Sequence, residues 1–224
     1  MMLTLESKIH RVDNVWSFRF QPEHPMLWLA GQFMRVELPH ADVDAAGASR
    51  WFTIAAAPHE AVPTITTRLT NSTFKQALAN LRIGDHLRLL ESPAGNFVWR
   101  PSDRPRLFAA QGIGITPFYA IIKDRRHHGL PTEAVLVYAH RPGTGAVFDD
   151  ELQAWAESDP TLTIIHHAGL LSPEQLVRYV PDYAQRTLYV SGPKSFIRLC
   201  MPPHRLPPRQ LKQDNFPGYA AANY

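Results

Sequence analysis

The sequence has a single cysteine, Cys200, among its 224 residues. One thiol excludes an intramolecular disulfide, a four-cysteine zinc site and an iron–sulfur cluster held by this chain alone. No uninterrupted apolar run approaches the roughly 20 residues that a membrane-spanning helix needs. The amino-terminal segment carries Glu6, Lys8 and His10 where a secretory signal would need an apolar stretch. We therefore expect a protein without a membrane span, in a reducing, cytoplasmic compartment.

An excess of either charge is also lacking, since Lys plus Arg number 23 and Asp plus Glu number 20. No basic run is interleaved with aromatic residues, so we expect no nucleic-acid partner. The histidine pairs at 127–128 and 166–167 are adjacent, so both rings of a pair cannot easily face one ion, and we expect no metal site. Neither a His-Glu-x-x-His motif nor a Gly-x-Ser-x-Gly nucleophile turn occurs.

The spacing of apolar residues along the chain changes near residue 100. Alternating apolar residues predict strands at 3–12, 15–21, 31–38, 49–58, 64–70 and 83–93, with a short helix at 72–81. Beyond a linker at 102–106, compact apolar strands alternate with helical segments at 117–129, 148–158 and 172–180. The first pattern is typical of an antiparallel six-stranded β-barrel and the second of an α/β parallel sheet. We expect two domains, residues 1–101 and residues 102–224.

One strand-to-helix turn is a candidate anion site, in the stretch "RLFAAQGIGITPFYAIIKD" at residues 106–124. Gly112 and Gly114 allow positive φ and close backbone approach. Thr116 is predicted as the N-cap and Pro117 as the first helical residue. The free N–H groups and positive dipole end of such a helix suit a phosphate. The third glycine of the usual dinucleotide fingerprint is absent, and a turn without a ligand is the alternative.

Six segments occur in a fixed order: RWFT (50–53), STFKQALANLRIGD (72–85), PAGNF (93–97), GIGITP (112–117), SGP (191–193) and FPGY (216–219). The first resembles the flavin motif Arg-x-Tyr-Ser/Thr of the ferredoxin–NADP reductase superfamily of flavoprotein oxidoreductases. The next two resemble its helix with a Gly-Asp turn and its Pro-x-Gly-x-Phe loop. The last three resemble its nicotinamide-nucleotide turn, its Cys-Gly-Pro segment and its closing segment. The resemblance covers nearly the whole chain.

The resemblance implies a flavin site in the first half, for FAD or alternatively FMN. Arg50 would neutralise phosphate, and Phe52, which replaces the family's tyrosine, would pack on the flavin ring. Thr53 would contact the ring edge near N5, the atom that accepts hydride. Core packing of Phe52 and an ordinary N-cap at the short helix are the alternatives. The full set of flavin-binding candidates is Arg50, Trp51, Phe52, Thr53, Thr67, Ser72, Thr73 and Lys75.

The resemblance implies an NAD(P)H site in the second half. Ser191 takes the place of a cysteine that lies near the nicotinamide in the family, and a plain strand-end turn is the alternative. Arg141 could pair with a 2′-phosphate or be solvated. Phe216 would cover the flavin face, or else only pack the last strand. The nucleotide-binding candidates are Gly112, Gly114, Thr116, Pro117, Arg141, Gly192, Pro193 and Phe216, and the catalytic candidates are Thr53, Ser191 and Phe216.

The function implied is that of an NAD(P)H-dependent flavin oxidoreductase. Hydride would pass from NAD(P)H to bound flavin, and electrons would go on to a separate acceptor such as ferredoxin, flavodoxin or an oxygenase component. Two alternatives remain because Phe52 and Ser191 depart from the family pattern. One is a flavin reductase that uses flavin as a substrate. The other is a catalytically weak, nucleotide-sensing binding module.

Overall fold

A computed structural model of the chain describes residues 1–200 and 206–214. Its first half contains a six-stranded antiparallel sheet in the order β4-β3-β6-β1-β2-β5. An isolated bridge between Ile54 and Ile65 joins its two edge strands, which closes the sheet into a barrel. The strands are β1 (Met2–Val12), β2 (Val15–Pro22), β3 (Phe33–Glu37), β4 (Ser49–Thr53), β5 (Thr64–Arg68) and β6 (His86–Leu89).

Helix α1 (Thr73–Asn80) packs against the barrel through Phe74 and Leu78, both fully buried. The Lys8 ammonium donates to the carbonyls of Ala79, at 2.7 Å, and Leu81, at 2.9 Å. These bonds satisfy acceptors at the carboxyl end of the helix, where intrahelical partners run out. A strand residue of the barrel thereby fixes the end of α1.

Four barrel strands, β3 to β6, are shorter than their sequence patterns predict, and β4 and β6 differ most. The strand predicted at 49–58 ends at Thr53, and a 3₁₀ turn follows at Pro58–Glu60, where proline supplies no ladder N–H. The strand predicted at 83–93 is confined to β6. Gly84 adopts φ +94°, and the Asp85 carboxylate accepts from the Arg82 N–H at 2.7 Å, so a turn occupies the start of that segment.

The second half is an α/β unit with a five-stranded parallel sheet in the order β11-β10-β7-β8-β9. Its strands are β7 (Arg106–Gln111), β8 (Ala134–His140), β9 (Leu162–Ala168), β10 (Thr187–Ser191) and β11 (Leu211–Gln213). Its helices are α2 (Thr116–His127), α3 (Asp149–Ser158), α4 (Pro173–Tyr179) and α5 (Lys194–Leu199). None of the helices in the described ranges is long and apolar enough to cross a membrane.

The helix start predicted at Ser172 is confirmed. The Ser172 hydroxyl accepts from the Gln175 N–H at 3.2 Å, and the Gln175 side chain accepts from the Ser172 N–H at 2.8 Å. This reciprocal pair is a capping box. The described part of the proline-rich stretch at 201–210 contains a 3₁₀ turn at Pro208–Gln210. Proline at the first position of such a turn loses no hydrogen bond.

One hydrophobic cluster spans the two halves. Val15, Ala30, Ala55 and Phe97 from the first half cluster with α2 and with β7, β8 and β10. The Phe97 ring lies 5.3 Å from those of both Phe118 and Tyr189, edge to face. Polar contacts add to this junction: the Lys123 ammonium lies 2.8 Å from the Glu60 carboxylate, and the imidazoles of His59 and His127 stack at 3.7 Å. The first half is therefore packed directly onto α2 and the parallel sheet.

Candidate flavin and nucleotide site

The carboxyl ends of the parallel strands collect the second-half candidates along one edge. Gln111, His140 and Ser191 end β7, β8 and β10, and the three strands run in the same direction. Ligands of open parallel α/β sheets bind in the crevice outside this edge. The turn after β7 therefore faces the region where a nucleotide is expected.

The turn differs in detail from its predicted geometry. Residues Gly112–Ile115 form a 3₁₀ helix that runs into α2, so Ile115 is the N-cap and Thr116 the first helical residue. The expectation that Thr116 caps the helix is wrong. Its hydroxyl instead donates to the Ile113 carbonyl at 3.1 Å, because the 3₁₀ turn places an acceptor directly beside it. Pro117 follows as the second helical residue.

The two glycines of the turn have different roles. Gly112 adopts φ +54°, and a Cβ built on it would meet no atom within 4 Å. Gly114 does not have the positive φ that the sequence allowed. A Cβ on Gly114 would lie only 2.4 Å from the Ser191 carbonyl oxygen, far inside contact distance. Gly114 is thus required for close packing, and it brings the turn against the end of β10.

The segment after β10 completes this contact. A Cβ on Gly192 would lie 2.9 Å from the Phe196 ring and 3.1 Å from the Gln111 Cβ. Pro193 is the N-cap residue of α5. The structure therefore brings together two segments, 112–117 and 191–193, that are separated by more than 70 residues in the chain.

Tyr138 holds the turn from the neighbouring strand, and sequence reasoning did not identify it. Its hydroxyl donates to the Gly112 carbonyl at 3.2 Å and accepts from the Val147 N–H at 3.0 Å. Burial raises the pKa of Tyr138 far above its usual value. The hydroxyl therefore stays protonated and keeps donating to the turn.

Ser191 is buried and hydrogen-bonded to an acid that the sequence analysis missed. Its Oγ donates to Asp214 Oδ2 at 2.9 Å, and both residues are less than 10% exposed. Burial raises the pKa of Asp214 to about 7, although the bond from Ser191 opposes that rise. Asp214 Oδ1 has no hydrogen-bond partner within the described ranges. The only available signal was an acid shortly before the segment FPGY.

Two candidates of the second half lie apart from this contact. Arg141 is exposed in the loop after β8, where its carbonyl accepts from the Thr144 hydroxyl at 2.8 Å. The structure does not bring its guanidinium into a hydrogen bond or an ion pair with other described residues. Phe216 lies outside the described residues, so its stacking on flavin stays a prediction.

Arg50 lies beside the start of α1, as a phosphate-binding role requires, but its guanidinium already has an anionic partner. Both Asp44 carboxylate oxygens accept from Arg50 Nη2, at 2.7 and 2.9 Å. The guanidinium carbon also lies 5.2 Å from the centre of the Phe74 ring. The Asp44 carboxylate accepts from the Thr73 hydroxyl at 3.4 Å as well. Any phosphate at this point would compete with Asp44.

The amino terminus of α1 is open. Ser72 is its N-cap residue, but the Ser72 side chain makes no capping hydrogen bond, and the first turn contains no acid. Burial, followed by repulsion from Arg50 and Arg68, lowers the pKa of Lys75 to about 8. Three cations therefore lie close together beside uncapped N–H groups, which is a favourable environment for a phosphate. Arg68 was not identified from the sequence.

The remaining first-half candidates line β4 and β5. Trp51 packs edge to face against Phe33 at 5.1 Å, and Phe52 lies 5.8 Å from the Phe74 ring, partly in the barrel core. Thr53 is buried at the end of β4, where it pairs with Phe33. Thr67 is also buried, and its hydroxyl donates to the Arg68 carbonyl at 3.5 Å. Neither Thr53 nor Thr67 offers an exposed hydroxyl, so contacts by way of the backbone are the simpler expectation.

The residues present fit a flavin phosphate. Lys75 is charged, partly buried and without an ion pair to another described residue, and an anion there would relieve its repulsion with Arg50 and Arg68. Strand β5, whose last residue is Arg68, contacts the 3₁₀ turn Gly112–Ile115 that Tyr138 holds in place. The phosphate-binding candidates of the barrel and the nucleotide turn are therefore adjacent across the junction of the two halves.

A closed antiparallel barrel packed on a parallel α/β unit, with a glycine turn at their junction, defines the fold of two-part nucleotide-dependent reductases. A family model described as the oxidoreductase NAD-binding domain matches residues 108–201. The reductase component of 3-ketosteroid-9-alpha-monooxygenase from Rhodococcus rhodochrous is 31% identical over 176 residues, which are 75% of this chain and 49% of that protein. The chain spans about half the length of the curated relatives it matches.

Solved structures agree on the fold. The flavohem-like FAD/NAD-binding domain of nitric oxide dioxygenase from Vibrio cholerae superposes with a TM-score of 0.81 at 16% identity, covering 96% of this chain and 98% of that one. Ferredoxin–NADP+ reductase from Plasmodium falciparum gives 0.77 at 14% identity, covering 96% and 95%. This chain belongs to the ferredoxin–NADP reductase superfamily.

Proposed function

We propose that the chain is an NAD(P)H-dependent flavin oxidoreductase with FAD as its cofactor. Residues 1–101 would bind FAD, and residues 102–224 would bind NAD(P)H. Electrons would then pass to a separate acceptor, such as ferredoxin, flavodoxin or an oxygenase component. Relatives named as reductase components or subunits of monooxygenases support the last of these acceptors.

The observation that carries this proposal is the uncapped start of α1, which carries Lys75 and has the Arg50 guanidinium over its Phe74 ring. Strand β5, which ends at Arg68, contacts the Gly112–Ile115 turn. The cations would neutralise the FAD phosphates, and the N–H groups of α1 would donate to them. Bound FAD would supply the hydride acceptor. FMN, whose phosphate monoester carries a similar negative charge at neutral pH, is the alternative cofactor.

The second half would orient the nicotinamide nucleotide. The Gly112–Ile115 turn and the start of α2 would hold its phosphates, with Tyr138 keeping the turn in place. Ser191, Gly192 and Pro193 would lie beside the nicotinamide, because Gly114 packs directly against Ser191. In such a site the protein contributes mainly orientation and exclusion of water.

A flavin reductase that releases its flavin is the second candidate, and one observation favours it. Asp44 occupies the Arg50 guanidinium with two hydrogen bonds, which weakens any phosphate contact from that residue. Flavin would then bind with lower affinity and exchange during turnover. The affinity of the protein for flavin distinguishes the two candidate functions.

The absorbance spectrum of the purified protein after gel filtration tests both candidates. A retained flavin spectrum that bleaches on anaerobic addition of NADH or NADPH is expected for a flavoprotein. A colourless protein that reduces added flavin would favour the second candidate. Nucleotide binding with no reduction of bound or added flavin would refute both and leave the nucleotide-sensing module.

A further inference from the structure

A second pocket rich in basic residues lies on the opposite edge of the parallel sheet. It encloses about 460 Å³ and is bounded by the linker before β7, the starts of β7 and β10, and the region of β11. Arg106 and Thr187, the first residues of β7 and β10, are paired in register there. Ser191 lies four residues further along β10, which corresponds to roughly 13 Å of strand. The pocket is therefore distinct from the flavin and nucleotide site.

The lining is strongly positive. Its charged members are Arg100, Asp103, Arg104, Arg106, Arg209 and Lys212. The Arg106 guanidinium lies 3.0 Å from the Glu133 carboxylate, which balances one positive charge. Arg100, Arg209 and Lys212 form no ion pair with residues of the described ranges. Positive side chains that line one pocket repel one another. A multivalent anion bound there would reduce this repulsion and would interact favourably with several of these side chains at once.

Arg106 adds a buried donor that lacks a partner. Its residue is only 2% exposed, and its Nε has no hydrogen-bond acceptor among the residues described. The two Nη atoms are used, by Glu133 at 3.0 Å and by the Arg100 carbonyl at 3.1 Å. An unsatisfied buried donor is costly, and more so on a charged group. An anion or a water that accepts from Nε would remove this cost.

The guanidinium of Arg106 is also fixed in place. It lies 3.9 Å from the centre of the Trp99 ring, and the Arg125 guanidinium lies 3.7 Å from that centre. Stacking on aromatic faces and the ion pair with Glu133 hold the planar group in one orientation. The pocket therefore has one pre-oriented arginine and several more adaptable cations around it.

The uncharged lining favours a small polar ligand. Ser102 provides an exposed hydroxyl, whereas Thr187 and Gln210 are buried in the wall of the pocket. Tyr189 also borders the pocket, but it is only 1% exposed, so no open aromatic face is offered to a nucleobase by that ring. Arginine and hydroxyl donors in this arrangement match the oxygens of phosphate groups.

We propose that this pocket binds a small multivalent phosphate, of the pyrophosphate class, at a site separate from the flavin and nucleotide site. The proposal is independent of the reaction proposed above. Arg209 and Lys212 would contact the anion from the β11 side, and Arg100 and Arg104 from the linker side. Binding would thus join the linker between the two halves to the sheet edge.

Isothermal titration of the flavin-saturated protein with inorganic pyrophosphate, at fixed ionic strength, tests the proposal. The double variant Arg209→Gln/Lys212→Gln should lose at least tenfold in affinity. The matched control Arg82→Gln/Arg178→Gln removes the same charge from exposed positions outside the pocket and should bind like the wild type. Arg100→Gln, on the opposite wall, provides a second test if the double variant folds poorly.

Two further measurements determine the chemical class of the ligand and the site at which it binds. Citrate, a multivalent carboxylate, should bind at least tenfold more weakly than pyrophosphate, and equal affinity would overturn the assignment to phosphate. Pyrophosphate affinity that falls in Lys75→Gln but not in the pocket variants would place the anion at the flavin phosphate site. That result, or the absence of binding to the wild type, would refute the proposal.

Discussion

The Ser191 hydroxyl donates to the Asp214 carboxylate at 2.9 Å, which joins the end of β10 to the residue that follows β11. Because Ser191 also borders the Gly114 turn, the proposed nicotinamide position is adjacent to a buried acid. The serine hydroxyl, at the position where the family has cysteine, supplies the donor to that acid.

Asp214→Asn should make the stability of the protein less dependent on pH. Burial raises the pKa of Asp214 to about 7 from an ordinary value near 3.8. The folded state therefore binds a proton that the unfolded state has released, and the stability from this group is lost as the pH rises from about 4 through 7. The slope approaches about 1.4 kcal/mol per pH unit between these values. Urea unfolding at several pH values measures it, and an unchanged slope in the variant would contradict the assignment.

Ser191→Ala should slow hydride transfer at saturating nucleotide more than it alters flavin affinity. It also removes the one hydrogen bond described for the Asp214 carboxylate. The free energy of unfolding should fall by about 1–3 kcal/mol, and by more at pH 8 than at pH 5, because the carboxylate is charged there. Ser191→Cys keeps the size and a weak donor and serves as the control. Identical stopped-flow traces for all three forms would make Ser191 a turn residue only.

Gly114→Ala should raise the Michaelis constant for NAD(P)H on the order of tenfold while flavin content stays constant. The added Cβ would lie 2.4 Å from the Ser191 carbonyl oxygen, so the turn must move away from β10. Gly129→Asn is the control, because Gly129 has φ +65° and open space, and asparagine tolerates that conformation. Loss of flavin with unchanged nucleotide kinetics would reverse the assignment of the two halves.

Lys75→Gln should weaken flavin binding roughly tenfold at pH 7, the loss of one charge-assisted contact. In the wild type the affinity should decline above pH 8, because the pKa of Lys75 is lowered to about 8 and flavin must then bind together with a proton. Below pH 8 the lysine is already charged, and little pH dependence is expected from it. Fluorescence titration from pH 6 to 10 measures both effects, and a wild-type curve parallel to that of the variant would exclude Lys75 from the site.

Asp44→Asn should strengthen flavin binding several-fold, because it releases the Arg50 guanidinium from a charged competitor. Arg50→Ala should weaken binding on the order of tenfold to a hundredfold, by the loss of a charge-assisted phosphate contact. Asp42→Asn, an exposed acid in the same loop, is the control for net charge. If Asp44→Asn weakens binding instead, Asp44 serves to orient Arg50 and does not compete with the phosphate.

Periodicity identified the elements that are long and bury one face. β1, β2, β7 and β8 follow their apolar patterns closely, and the serine and proline at 172–173 marked the start of α4. Periodicity did not identify β11 and α5, because they contain only three and six residues. Such short elements are stabilised by pairing or packing with neighbours such as β10, and their own sequence carries little signal.

The sequence named candidate residues for the proposed site but not the side chains that contact them. Arg50, the residues at the start of α1 and the glycine turn could be named from short segments of the chain. Asp44, Arg68, Tyr138 and Asp214 could not, because each acts through a residue that only folding brings near. The capping geometry at Thr116 failed for a local reason, since a 3₁₀ turn precedes the helix.

The aromatic contacts of Phe97 with Phe118 and Tyr189 limit how a nucleotide could enter the proposed site. A hinge motion that parted the halves would expose these rings, at a cost of roughly 25 cal/mol for each Å² of apolar surface. We therefore expect substrate exchange without domain opening. Small-angle scattering should give the same radius of gyration with and without NAD(P)H. The turnover number at saturating nucleotide should not change when the solvent viscosity is raised.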